Sequence, residues 1–141
     1  MTSRLTRLGF SLLILLSANV SLADVVLVVS AKSPVHILTR NELADIYLGR
    51  NSRFPNGQPA VPVDQRESSA DYVAFYRHYL GQTPAQIKMH WSRLIFTGRG
   101  QPPRSLPSSR AVADFVAEHA QAIGYLDDAY LDERLRRVSI E

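Results

Sequence analysis

The sequence predicts a single α/β domain, a mixed sheet flanked by helices, and three observations lead there. Asp24–Ser30 (DVVLVVS) is an almost unbroken β-branched run, the mark of a strand buried on both faces. Strand-like and helix-like segments then interleave as β-α-β-α-α-α-β-(α)-β, the pattern of a layered α/β structure. No repeat, low-complexity tract or dividing linker interrupts the 141 residues, and 45% hydrophobic against 21% charged residues is enough for one real core.

The first 23 residues stand apart from that core. Arg4 and Arg7 form a basic start, Leu8–Leu16 (LGFSLLILL) is a short apolar run, and Ser21-Leu22-Ala23 supplies small residues at a cleavage site. This reads as a secretory signal peptide cut between Ala23 and Asp24, because the apolar run is shorter than the roughly 20 residues of a membrane span. The expected domain is therefore 24–141, exported to the periplasm with no membrane span left. The chain has no cysteine, which excludes lipid attachment of the bacterial lipoprotein kind, disulfides and thiolate metal sites. Loss of Arg4 and Arg7 leaves 14 basic against 13 acidic side chains, so nothing argues for a nucleic-acid-binding stripe.

After the first strand comes a loop around Pro34. Thr39-Arg40-Asn41-Glu42 is a capping box, Leu43, Ile46 and Tyr47 form the apolar face of the helix that follows, and Gly49 ends it. Arg50–Pro59 is turn-rich, with a tight turn at Pro55-Asn56-Gly57. Ala60–Val63 is a short strand, and Asp64–Ser69 a polar turn. Tyr72, Phe75, Tyr76, Tyr79 and Leu80 fall at helical spacing, with Ser68 or Ser69 as N-cap and Asp71 in the first turn. Gly81 closes that helix. Thr83-Pro84-Ala85-Gln86 starts another, which turns Ile87, Trp91, Leu94 and Ile95 inward. Thr97–Pro107 reads as an irregular loop. Ser108 or Ser109 caps a fourth helix with Val112, Phe115 and Val116 inward. Ala122–Leu126 is a second buried strand, Asp127–Arg134 a charged helical turn, and Leu135–Ile140 a closing strand.

The sequence lacks the nucleophile-elbow, zinc-protease, P-loop and dinucleotide motifs. His36, His78, His90 and His119 are scattered without metal-ligand spacing, and the acidic group Asp127, Asp128, Asp132 and Glu133 lacks calcium-loop periodicity. No catalytic set, metal site or cofactor motif emerges. What remains is recognition of an oxyanion. Asp64, Arg66, Ser68 and Ser69 sit at a strand-to-helix junction, where free N–H groups and an arginine suit an anion. Ser68 and Ser69 are equally ordinary capping residues. Thr97-Gly98-Arg99-Gly100 is a second loop with a hydroxyl, two glycines and an arginine, which reads either as a further anion contact or as a plain helix terminator.

Three separated pieces carry a resemblance. Leu38–Arg50 (LTRNELADIYLGR), Val61–Leu80 (VPVDQRESSADYVAFYRHYL) and Ala122–Asp132 (AIGYLDDAYLD) are similar, in order and approximate spacing, to segments of the periplasmic phosphate-binding proteins of ABC importers. The likeness spans roughly Ser33 to Asp132 and is nearest to the short members with a single PBP-like domain. It implies a fold like one lobe of a type 2 periplasmic binding protein and non-covalent binding of phosphate or a related oxyanion, not catalysis. It further implies that Ser68 and Ser69 supply hydroxyls, Arg66 the counter-charge, and Asp64 an acceptor for the proton of hydrogen phosphate. The Gly-Thr that follows the family's serine is missing here, and Glu67 and Asp71 add negative charge. Phe54 stands where the family often has tryptophan. About 118 residues make little more than one lobe, so tight capture would need a homodimer, an ABC permease or a periplasmic sensor as partner. A different reading is an interaction or sensory module that kept the fold and lost tight anion binding.

Overall fold

The computed structural model describes residues 24–141; residues 1–23, read from the sequence as a signal peptide, lie outside the described residues. The first strand, β1 (Val25–Ser30), lies inside a five-stranded mixed sheet. The others are β3 (Val61–Gln65), β4 (Arg104–Leu106), β5 (Ala122–Asp127) and β6 (Leu135–Arg137), in the order β4-β3-β5-β1-β6. β3 runs parallel to β4 and β5, whereas β1 runs antiparallel to β5 and β6. Two two-residue strands, β2 (Ile37–Leu38) and β7 (Ser139–Ile140), form a separate parallel pair.

Strand alternation explains why β1 is apolar at almost every position. Leu27 and Val29 point to one face of the sheet, where they pack with Tyr47, Phe75, Tyr76 and Tyr125. Val26 and Val28 point to the other, toward Val112 and Val116. The first face is covered by α1 (Arg40–Tyr47), α2 (Ala70–Phe75) with its continuation Tyr76–Leu80, and α3 (Pro84–Phe96). The second is covered by α4 (Ser109–Glu118). Gly124 on β5 permits that contact: a Cβ there would stand 2.7 Å from Val112 Cγ1 and 3.0 Å from Val63 Cγ2.

Both expected capping boxes form, Thr39 with Glu42 and Thr83 with Gln86. Gly49, at φ 74°, turns the chain out of α1 under the indole of Trp91, where a Cβ would clash. Ser69 is the N-cap of α2, accepting a hydrogen bond from the Tyr72 N–H, and Ser108 is the N-cap of α4. The α2 helix does not stay regular: Tyr76–Leu80 widens into a π-helical turn. Arg40 caps the widened end by donating to the carbonyls of His78 and Tyr79.

The structure corrects several expectations. β3 runs on through Asp64 and Gln65, so those two residues are strand and buried, not turn. The expected loop Thr97–Pro107 contains β4. The closing strand is two strands broken at Val138, because its halves pair in different sheets. β2 was not anticipated. Ile95 faces outward at 55% exposed, and Phe115 and Leu94 are half-buried.

Candidate functional site

β3 delivers Asp64 to the C-terminal end of the sheet, where the chain turns into α2. Asp64 is 6% exposed, and among the described residues no basic side chain pairs with it. Instead Tyr76 donates its hydroxyl to Oδ2 at 2.5 Å, Tyr125 donates to Oδ1, and the Gln65 N–H donates to Oδ1 at 3.0 Å. A buried carboxylate is costly unless it is hydrogen-bonded, and these three donors are its solvation. Burial still wins, raising the Asp64 pKa from 3.8 to about 6, against the lowering effect of the tyrosine and backbone bonds. Burial and the Asp64 charge push the Tyr76 and Tyr125 phenols well above their ordinary range, so both remain donors.

Tertiary packing fixes those tyrosines. Phe75 stacks flat on Tyr125 at 4.0 Å between centroids, and Tyr47 packs against both Phe75 and Tyr125. Tyr47 anchors the cluster to the sheet by donating to the carbonyls of Val63 and Ile123. The helical-spaced aromatics Tyr72, Phe75 and Tyr76 are thus core residues. Gln65 ties the junction to the opposite face: its Nε2 donates to the Tyr125 carbonyl and to Ser109 Oγ. Ser109 Oγ in turn accepts from the Asp127 N–H and donates to Asp71 Oδ2 at 2.8 Å. Asp71 is therefore held toward the start of α4.

The turn after β3 is open. Arg66, Glu67 and Ser68 are exposed and Ser69 is half-buried. The Arg66 carbonyl accepts from the Ser69 N–H. Among the described residues, the N–H groups of Glu67, Ser68, Ala70 and Asp71 have no acceptor, and neither the Arg66 guanidinium nor the Ser68 hydroxyl has a partner. The sequence thus brings Asp64, Arg66, Ser68 and Ser69 to one junction, with Asp64 beneath the turn and the other three along it.

The second loop behaves as a helix terminus. Thr97 Oγ1 donates to the carbonyls of Arg93 and Leu94, and the N–H groups of Gly98 and Arg99 bond to Ile95 and Leu94. It is the later part of the loop, Pro102 and Pro103, that faces Asp64 across a cleft of about 310 Å³. Thr97, Gly98 and Arg99 do not line that cleft. Its walls are Tyr72, Ile87 and Trp91, with Glu67 and Lys88 at its edge. Trp91 carries the one buried side-chain N–H among the described residues that has no partner. No local signal announces the cleft, because its residues come from three separate segments, within 64–72, 87–95 and 102–105. Among the described residues no group of three or more His, Cys, Asp or Glu could hold a metal.

Element order and sheet make a single mixed α/β lobe. No family model and no curated protein matches the sequence. Solved structures match the fold. A protein from Clostridium perfringens, solved with phosphate bound and assigned as a phosphate ABC transporter substrate-binding protein, superposes with a TM-score of 0.65 at 21% identity, over 82% of this chain and 44% of that one. An ABC-type phosphate transport receptor from Vibrio cholerae gives 0.64 at 19% identity, over 82% and 45%. PstS from Borrelia burgdorferi gives 0.63 at 14% identity, over 83% and 47%. The chain therefore spans less than half the length of these proteins. At such identities the match establishes the fold. These neighbours are transport substrate-binding proteins rather than enzymes. No helix among the described residues is long and apolar enough to cross a membrane.

Proposed function

We propose that the chain is a periplasmic solute-binding lobe that holds phosphate or a related oxyanion at the turn between β3 and α2, in or beside an ABC uptake system. The observation that carries this reading is the set of four backbone N–H groups, at Glu67, Ser68, Ala70 and Asp71, that have no acceptor among the described residues. They lie beside an unpaired Arg66 in a fold shared with phosphate-binding proteins. Convergent backbone donors and a guanidinium are what an oxyanion requires. Ser68 contributes its hydroxyl. Ser69 Oγ accepts from the Tyr72 N–H, which leaves its own hydrogen for the ligand. Oδ2 of Asp64 takes one bond from Tyr76 and keeps capacity to accept from a protonated ligand oxygen. Asp71 is drawn off toward Ser109, which lessens its repulsion of the anion. Binding is non-covalent, so the chain is read as a binding protein and not as an enzyme.

Calorimetric titration with phosphate at low salt tests this. Arg66→Ala should weaken binding by at least about 1.5 kcal/mol, the lower end for a charge-assisted hydrogen bond. The Ser68→Ala/Ser69→Ala double variant should weaken it further. Unchanged affinity in both variants would remove the turn from the site.

A second reading rests on a different observation. The outward side of α3 exposes Met89 and Phe96, the latter at 93%. Such a surface favours an interaction or sensory module that associates with a periplasmic partner or a second copy. That reading predicts no anion affinity even in the millimolar range.

A further inference from the structure

The charges of this chain are unevenly spread. Between Asp71 and Asp114 the sequence holds six basic residues, Arg77, Lys88, Arg93, Arg99, Arg104 and Arg110, and no acidic one. Among the described residues none of the six pairs with a carboxylate; the ion pairs lie at Arg50, Arg134 and Arg137. Arg104 and Arg110 rest instead on the rings of Phe115 and Tyr130. The middle of this basic stretch is α3, which ends at Phe96, the most exposed large apolar side chain of the described residues.

Helical spacing gathers the exposed side of α3. Met89, Ser92, Arg93 and Phe96 are spaced so that they share one face, and all four are exposed, whereas Ile87 and Trp91 on the opposite side are buried. Arg93 lies along Met89, its Nη2 donating to Sδ at 3.3 Å. Past Phe96 the chain stays at the surface: every residue from Ile95 to Pro102 is exposed, and Arg99 follows the turn at Gly98. Met89, Arg93 and Phe96 line neither of the two clefts that Trp91 borders, so a solute held there would leave them uncovered. A second copy docked face to face would set these cations against their own kind, with no acidic residue in the stretch to offset them. A ring as exposed as Phe96 stands proud of the surface, and a protein partner would need a pocket shaped to it. The interfacial layer of a bilayer admits a projecting ring without a matching shape, and anionic phosphodiester headgroups suit the flanking guanidinium groups.

We infer that the tip of α3 is a peripheral membrane contact: Phe96 and Met89 enter the interfacial layer of a bilayer containing anionic phospholipid, and Arg93 and Arg99 lie on its headgroups. The contact is weak and reversible, because two apolar side chains and a few cations fall short of a lasting anchor. It is separate from the β3–α2 turn and does not depend on whether that turn binds an anion.

The test is co-sedimentation of the purified protein with vesicles of phosphatidylcholine alone and of phosphatidylcholine with about 30% phosphatidylglycerol, at low salt. Residues 1–23 are the same in every comparison, so their contribution cancels between wild type and variants. Wild type should bind the anionic vesicles at least about tenfold more tightly than the neutral ones and leave them as salt rises. Phe96→Ser and the Arg93→Gln/Arg99→Gln double variant, all at exposed positions, should each lower that affinity at least about fivefold. The chain has no cysteine, so Thr97→Cys accepts an environment-sensitive dye at a single place, and its emission should shift to the blue with anionic vesicles. The same dye on Glu118→Cys, in α4 on the other face of the sheet, should not shift. Equal affinity for neutral and anionic vesicles, variants that bind like wild type, or equal dye shifts at the two positions would overturn the inference. So would a wild type that ignores every vesicle, and if that protein self-associates through Phe96, the face belongs to a second copy.

Discussion

Asp64 carries a buried charge whose solvation comes from two tyrosines and one backbone N–H. Its pKa of about 6, against 3.8 for an ordinary aspartate, means that ionisation is easier in the unfolded chain. The stability it contributes is complete below pH 3.8 and is lost as the pH rises through 6, a loss on the order of 3 kcal/mol. Denaturant unfolding at pH 4 and pH 7.5 should therefore show wild type losing stability relative to Asp64→Asn as the pH rises. Parallel pH profiles for the two would mean that Asp64 is not buried as a charge. The residue could be named from sequence as a junction carboxylate. Its surroundings could not, because Tyr125 lies 61 positions away and meets Asp64 only through the sheet and the aromatic cluster. Arg66, Ser68 and Ser69 were legible for the opposite reason: they are local to one turn.

At the scale of elements, capping chemistry was readable and pairing was not. Thr39, Thr83, Ser69 and Ser108 start their helices through bonds made within three residues, which is why the sequence named the first two and narrowed the others to Ser68 or Ser69 and Ser108 or Ser109. β4 is three residues long, flanked by prolines, and exists because β3 offers it a parallel edge; nothing local announces it. Asp64 and Gln65 look like turn residues by type, yet the same pairing draws them into β3. Gly124 illustrates a constraint of close approach between elements. Gly124→Ala would press a methyl group into Val112 and Val63 and should destabilise the protein by about 1–3 kcal/mol. A thermal melt reads the loss, and an unchanged melting temperature would show that α4 has room to move away from β5.

At the scale of the whole molecule, the described residues form one lobe, which superposes on less than half of each solved neighbour. Two apolar clusters, one on each face of the sheet, stand where one core was expected. The fold class and the likeness to phosphate-binding proteins were visible in strand patterning and three short segments. The cleft and the outward apolar side of α3 were not, since both depend on how α3 sits, and α3 is anchored mainly by Ile87, Trp91 and a bond from His90 to the Leu48 carbonyl. The turn proposed to hold the anion is exposed, so water would weaken its contacts. Phosphate binding should accordingly fall as ionic strength rises from about 10 to 150 mM, where the Debye length shrinks from about 30 to 8 Å. Salt-independent affinity would point to a site more enclosed than this turn.

The most direct measurement is a two-dimensional amide spectrum of the protein titrated with phosphate. The amide signals of Glu67, Ser68, Ala70 and Asp71 should move together and saturate with a single dissociation constant, while those of Gly98 and Arg99 stay in place. If phosphate saturates the protein and those four amides do not move, the turn between β3 and α2 is not the anion site.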